Sequence, residues 1–199
     1  IPKDSNRQQI DELLRARREL IDSQQRERNR AGHRGPGSKI LQQMHKKLDA
    51  VYKEQIAKLD KAIAALIGSD ETLAKADAML RKVQGVGPQT SRTLLAMLPE
   101  LGRVNRRTIA ALAGLAPYDS DSGRHTGNRY IRGGRSQVRQ VLHMAAVVAS
   151  RHNGVLKKSY ANLLENKKKF KVAIVAIARK LLIYLNSQMA KFLEKPIDA

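Results

Sequence analysis

Hydrophobic residues recur at three- and four-residue spacing along most of the chain, and this pattern predicts helices. The first helix is expected over residues 4–30. It ends where Arg30–Ser38 supplies three glycines and a proline. Ser38 then begins a second helix to about residue 67, with near-heptad apolar positions at Leu41, Met44, Leu48, Val51, Tyr52, Ile56, Leu59, Ile63 and Leu66. The pair predicts an antiparallel helical hairpin or coiled coil over residues 1–69.

This predicted arm allows two interpretations. It is either a spacer or a dimerisation element. Two narrow apolar stripes on a protruding hairpin leave hydrophobic surface that a partner can cover. We therefore favour dimerisation.

Residues 70–199 predict a compact helical domain. A short strand or turn is expected near Tyr130–Ile131, and Ser136 is expected to cap the helix that follows it. The fold class is therefore all-α, or mostly helical. The predicted helices span residues 71–82, 88–98, 105–113, 136–151, 154–165 and 170–193. Aromatic residues make up only 4% of the chain, so the core must be aliphatic.

The charge balance restricts the possible partners. The 38 Lys and Arg against 18 Asp and Glu give a net charge of +20, which favours binding to nucleic acid. No apolar run approaches the roughly 20 residues of a membrane span, and no membrane partner is expected. The absence of Cys excludes disulfides and thiolate zinc sites. The dispersed His and acidic residues predict no metal site or cofactor within this chain.

A glycine-containing turn over residues 83–98 resembles a helix-hairpin-helix motif. Gly85 and Gly87 permit a tight turn, and Pro88 suits the first turn of a helix. The free amides at that helix start can bind a phosphate without regard to base sequence. A plain turn between packed helices explains the same residues equally well, and the basic composition favours DNA.

The loop over residues 114–135 carries Ser120 and Ser122 in an arginine-rich segment. Eight arginines lie between Arg103 and Arg139, and guanidinium groups bind phosphate oxygens in pairs. A serine nucleophile needs a proton acceptor and positive charge to stabilise its transition state. The acceptor is left open among Asp119, Asp121 and His125. Taken alone, a serine in a glycine-rich loop is more often a turn residue.

Six segments in order resemble the C-terminal transposase domain of the bacterial insertion-sequence family called "IS one-ten", whose relatives include pilin-gene invertases. They cover roughly residues 80–195. The segments are Gly85-Val-Gly-Pro88, Leu112-Ala-Gly-Leu-Ala-Pro117, Asp121-Ser-Gly123, Arg132-Gly-Gly-Arg135, Arg151-His-Asn153 and Ala178-Arg-Lys-Leu-Leu182.

The resemblance implies a bridge-RNA-guided DNA recombinase of the bacterial cytoplasm, associated with the nucleoid. Its members carry an N-terminal RuvC-like domain that binds Mg²⁺, then a coiled coil and a serine-bearing domain. They assemble as dimers that pair into tetramers, so the resemblance implies a homodimer or homotetramer. The acidic domain is not found in this sequence. We therefore expect the chain to be a fragment that is inactive alone, with Mg²⁺ supplied by the missing domain.

The family's Ser-Gly pattern assigns the nucleophile to Ser122, with Ser120 as the second choice. A non-catalytic DNA- or RNA-binding module is the alternative function, and a structural scaffold is a third. The residues expected to bind DNA are Gly85, Gly87, Arg124, Arg129, Arg132, Arg135 and Arg139.

Overall fold

The computed structural model describes residues 5–33, 39–118 and 130–194. Eight helices and one pair of two-residue strands occupy these ranges, which confirms the all-α prediction. The elements are α1 (Ser5–His33), α2 (Lys39–Gly68), α3 (Glu71–Arg81), α4 (Pro88–Met97), α5 (Arg106–Leu112), β1 (Pro117–Tyr118), β2 (Tyr130–Ile131), α6 (Ser136–His152), α7 (Gly154–Glu165) and α8 (Phe170–Glu194). They form two compact units, which divide after Glu71.

The first unit is the antiparallel pair of α1 and α2. Arg17 of α1 pairs with Asp60 of α2 at 2.8 Å, and Arg28 pairs with Asp49 at 2.7 Å. The partner number falls as the α1 number rises, as an antiparallel arrangement requires. At the end of the hairpin where α1 begins and α2 ends, four aliphatic side chains are buried: Ile10, Leu14, Ile63 and Ile67.

The other end of the hairpin is held by polar contacts. Gln24 and Arg28 both donate to Asp49, and Arg28 and Lys53 together lower the pKa of that carboxyl far below its usual value. The predicted apolar seam is not buried here. We call its exposed members the arm stripe: Leu41, Met44, Leu48 and Val51.

The second unit is built around α8. This helix contacts α5, α6 and α7, and α6 also packs on α4. Ala145, Ala146 and Ala149 of α6 are buried, and their small side chains let neighbouring backbones approach closely. The fully buried side chains of α8 include Ile174, Ile177, Leu181, Leu182 and Leu185. Truncating one such leucine to alanine costs about 2–5 kcal/mol.

A buried asparagine of α8 fixes the turn between α4 and α5. The Oδ1 atom of Asn186 accepts a bond from the Gly102 amide at 2.8 Å, and its Nδ2 donates to the Val104 carbonyl at 2.9 Å. The next residue, Asn105, caps α5 by accepting bonds from the amides of Arg107 and Thr108. These contacts set the direction in which α5 runs toward the arginine-rich loop.

Several predicted helix ends differ from the structure by one to three residues, and two differences have a physical reason. The first helix continues to His33, because an isolated glycine such as Gly32 costs a helix only about 1 kcal/mol. Ser136 is not the cap of α6 but its first residue. Arg135 occupies the cap position, without a side-chain cap bond.

Candidate nucleic-acid interface

The turn from α3 to α4 places two glycines in different environments. Gly85 has a φ of +100°, and a Cβ atom there would lie 2.7 Å from the Cβ of Ala149 and 2.8 Å from the carbonyl oxygen of Ala145. Gly85 therefore lets the turn lie directly against α6. Both its backbone conformation and its packing require glycine, whether or not a ligand binds.

Gly87 occupies the cap position of α4 and faces open space. Its φ of −90° suits any residue, no atom lies within 4 Å of a Cβ placed there, and no side chain caps the helix. Pro88 follows in the first turn. The first amides of a helix have no partner within the helix and carry its positive dipole end. The exposed cap position at Gly87 therefore leaves room for a phosphate beside the start of α4.

The base of the arginine-rich loop is a small antiparallel ladder. Pro117 pairs with Ile131 and Tyr118 pairs with Tyr130. The guanidinium carbon of Arg132 lies 5.2 Å from the centre of the Tyr118 ring. An exposed cation–π contact of this kind is worth about 0.5–1 kcal/mol. The ladder brings together Tyr118 and Tyr130, the described residues on either side of positions 119–129.

Glycines hold the chain on both sides of this ladder. Gly114, with a φ of +67°, ends α5, where Gly114 donates to Ala111 and Leu115 donates to Ala110. These are the two bonds of a Schellman motif. A Cβ on Gly134 would lie 2.6 Å from the Cα of Gly114 and 2.8 Å from the carbonyl oxygen of Leu112. The two sides of the loop therefore touch through their backbones.

Two of the predicted DNA-binding arginines make bonds within the protein at this base. Arg139 donates to the carbonyl of Gly133 at 2.6 Å and lies 3.5 Å from that of Gly114. Arg135 donates twice to the carboxylate of Glu100, at 2.6 and 2.7 Å. These hydrogen bonds lower the pKa of Glu100, so the carboxylate remains charged at neutral pH.

We call this set of contacts the loop clamp: Glu100, Gly114, Gly134, Arg135 and Arg139. It joins the turn after α4, the end of α5 and the start of α6. The participation of Glu100 was not predicted. Glu100 and Arg135 lie 35 residues apart, and no spacing rule relates residues at such a separation.

The predicted site residues are only partly brought together. Arg132, Arg135 and Arg139 gather at the base of the loop. Gly85 and Gly87 lie on the α3–α4 turn, where Gly85 packs against the C-terminal half of α6. The positions from Arg139 to Ala149 along α6 correspond to roughly 15 Å. Ser120, Ser122, Arg124 and Arg129 lie outside the described residues, as do the candidate bases Asp119, Asp121 and His125.

The described residues do not form a metal site or a membrane span. No three His, Asp or Glu side chains in the described ranges come together as metal ligands. Within the same ranges, no helix is both long and apolar enough to cross a bilayer.

Comparison with known proteins identifies the domain that contains both features. Residues 77–161 match the family model of the IS116/IS110/IS902 transposases. The match includes the α3–α4 turn, the whole arginine-rich loop and α6. No curated protein sequence matches the chain. Over residues 77–161, this match confirms the resemblance to a transposase domain of the IS116/IS110/IS902 family.

Proposed function

We propose that this chain binds DNA and supplies a serine nucleophile for strand cleavage and exchange. The observation that carries the proposal is that the family match includes an arginine-rich loop whose two ends are held together on the helical unit. Segment 119–129 connects these ends and contains Ser120 and Ser122. Arg132 is exposed beside the ladder, where its charge can face a phosphate.

The proposed reaction is a transfer of a phosphodiester to Ser122. The serine oxygen forms a bond to phosphorus while the bond from phosphorus to the departing deoxyribose oxygen breaks. The serine proton passes to a base, and Asp119, Asp121 and His125 are the candidates. The departing oxygen gains a proton. Nearby guanidinium groups stabilise the charge that develops on the phosphoryl oxygens, and exchange follows by the reverse attack of a new strand.

Substitution of the two serines in the intact transposase tests this mechanism. Ser122→Ala should abolish both strand exchange and the covalent protein–DNA adduct, whereas Ser120→Ala should retain both. The reverse result assigns the nucleophile to Ser120. Full activity in both variants contradicts a serine mechanism.

The start of α4 is the proposed phosphate contact outside the loop. The open cap position at Gly87 and the helix dipole support this assignment, and Arg124, Arg129 and Arg132 are the proposed contacts nearer the serines. Such contacts position the backbone and do not read the base sequence. The predicted DNA contacts through Gly85, Arg135 and Arg139 compete with the roles these residues have within the protein.

The family resemblance supports two further partners. A bridge RNA that selects the DNA sites is the proposed guide, and an acidic RuvC-like domain is the proposed source of Mg²⁺. That ion would supply charge stabilisation to the reaction. The described residues do not form a fitting metal site.

The arm stripe supports self-association. Leu41, Met44, Leu48 and Val51 recur at alternating three- and four-residue spacing and are all exposed. This spacing produces an apolar seam in coiled coils, and a twofold pairing of two such seams is self-complementary. The proposed occupant of the stripe is therefore a second copy of this chain.

Sedimentation of matched variants tests the assembly. Leu48→Glu should shift the protein toward the monomer, because it places a charge in the middle of the seam. Gln43→Glu adds the same charge at an exposed polar position and should leave the assembly unchanged. An unaltered sedimentation coefficient for Leu48→Glu contradicts pairing through the stripe.

A non-catalytic nucleic-acid-binding module remains the second candidate. The open start of α4 supports it, since that contact needs no reactive serine. A covalent protein–DNA adduct distinguishes the two functions, because only the enzyme forms one.

A further inference from the structure

We propose that Glu100 and Arg139 are positioning residues of the transposition reaction, acting through the loop clamp. Neither needs to touch DNA. Their contacts fix the two ends of the arginine-rich loop relative to α4, α5 and α6. This inference rests on the proposed function, because it assumes that the arginine-rich loop takes part in the reaction.

The contacts of Arg139 show how one side chain controls both ends of the loop. Gly114 precedes β1, and Gly133 follows β2. A single guanidinium nitrogen lies 2.6 Å from the carbonyl oxygen of Gly133 and 3.5 Å from that of Gly114. Arg139 itself belongs to the second turn of α6, so it ties the loop to a helix with a buried face.

The contact of Glu100 orients the same junction from another side. Arg135 is the residue immediately before α6, and its backbone amide donates to the Leu112 carbonyl at 2.9 Å. Its guanidinium group donates two bonds to Glu100. A bidentate pair fixes direction as well as distance. The residue that joins the loop to α6 is therefore held at its backbone and at its side chain.

The expected sizes of the two effects indicate that the loop clamp affects the geometry of the reacting groups more than the free energy of unfolding. Glu100 and Arg135 are 19% and 36% exposed at their side chains, and ion pairs with this access to water add little to the free energy of unfolding. A displacement of about 1 Å at a reacting group can slow a reaction on the order of a hundredfold. The clamp is thus expected to affect the reaction rate much more than folding.

Single-turnover cleavage by the intact transposase at saturating DNA tests the proposal. Glu100→Gln removes the charge while keeping the shape, and it should lower the cleavage rate on the order of tenfold. The Kd for DNA should stay within about twofold of the parent value, and Tm should change by no more than about 4 °C. Glu165→Gln, at an exposed position on α7, is the matched control and should change none of these quantities.

Rescue distinguishes positioning from a general loss of structure. The exchange E100R with R135E restores an ion pair of reversed polarity and should recover part of the cleavage rate that E100Q loses. Arg139→Lys keeps the charge but loses the planar guanidinium, and it should also slow cleavage at unchanged Kd. If E100Q does not fold, R139K tests the proposal.

Two outcomes overturn the inference. One is an unchanged cleavage rate in both E100Q and R139K. The other is a rate that falls only in proportion to DNA affinity or to the folded fraction. The serine variants separate this failure from failure of the proposed function. If E100Q cleaves slowly while both serine variants are fully active, the serine mechanism is rejected. The positioning role of the loop clamp is then retained.

Discussion

The α3–α4 turn and the arginine-rich loop both combine glycines with basic surroundings, yet they use these residues differently. In the turn, Gly85 is packed against α6, and Gly87 leaves the start of α4 open. At the base of the loop, Gly114 and Gly134 are packed together, and Arg135 and Arg139 bond to protein oxygens. In the described part of the loop, Arg135 and Arg139 are therefore engaged within the protein, although this region has more arginines than the turn.

A high density of arginine in a sequence does not mean a high density of positive charge that is available to a ligand. The charge of Arg135 is matched by a carboxylate at hydrogen-bond distance, which reduces its value for an incoming phosphate. The α3–α4 turn contains fewer arginines than the loop. However, its exposed cap position lies at the positive end of the α4 dipole, which needs no side chain.

The largest expected effect breaks the packing between the two sides of the loop. Gly134→Ala should lower the free energy of unfolding by about 3 kcal/mol or more, because its Cβ would meet the backbone of Gly114 at a positive φ. Gly133 also has a positive φ but faces open space, so Gly133→Ala should cost only about 1–2 kcal/mol. Urea denaturation measures both, and equal costs would contradict the proposed close packing.

The next effect separates the two glycines of the turn. Gly85→Ala should destabilise the protein by about 2–3 kcal/mol, since the methyl group meets Ala149 and the Ala145 carbonyl. Gly87→Asn should be neutral or stabilising by a few tenths of a kcal/mol, because Asn caps helices slightly better than glycine. Thermal unfolding of both variants checks the difference, and a similar loss of Tm in both would refute it.

A change of charge at the open position tests DNA binding there. Gly87→Asp should keep the helix capped but weaken binding to duplex DNA by about tenfold, because a carboxylate would occupy the place of a phosphate. Gly87→Asn is the neutral control and should bind as the parent does. Fluorescence anisotropy at fixed salt measures both, and equal affinities would exclude a phosphate at this helix start.

The smallest effect concerns pH. Arg135 lowers the pKa of Glu100 in the folded protein below its ordinary value of about 4.5. The pair therefore contributes stability above about pH 4.5, and this contribution is lost as the pH falls through the folded-state pKa. Glu100→Gln should cost about 1 kcal/mol or less at pH 7, and the cost should shrink on acidification. Urea titrations at pH 7 and pH 4 check the sign, which a constant difference would contradict.

Most of the fold could be predicted from the sequence because its helices are long and strongly periodic. The predicted helix over 170–193 corresponds to α8, in which Ile174, Ile177 and Leu181 are buried. The packing of the helical hairpin was harder to predict, because heptad spacing does not show which apolar stripe of α2 faces α1. Leu41 and Met44 belong to the spacing but are exposed. Polar pairs such as Arg28–Asp49 hold that part of the hairpin instead.

Less of the candidate site could be predicted, for a physical reason. Gly85 and Gly87 are equivalent in a motif, and only the position of α6 distinguishes them. Likewise, the sequence around Arg135 predicts phosphate binding, whereas in the folded structure Arg135 pairs with Glu100. Contacts between residues far apart in the sequence determine the roles of Gly85, Gly87 and Arg135. The local spacing of residues does not predict such contacts.

The salt dependence of DNA binding tests the central claim that clamp arginines serve the protein while the open turn serves DNA. The double variant E100Q with R135Q removes one negative and one positive charge, so net charge is unchanged. Its binding constant should show the same dependence on salt as the parent protein, whereas Gly87→Asp should bind more weakly at every salt concentration. A salt slope reduced by about one unit in the double variant, with parental binding by Gly87→Asp, would contradict the account.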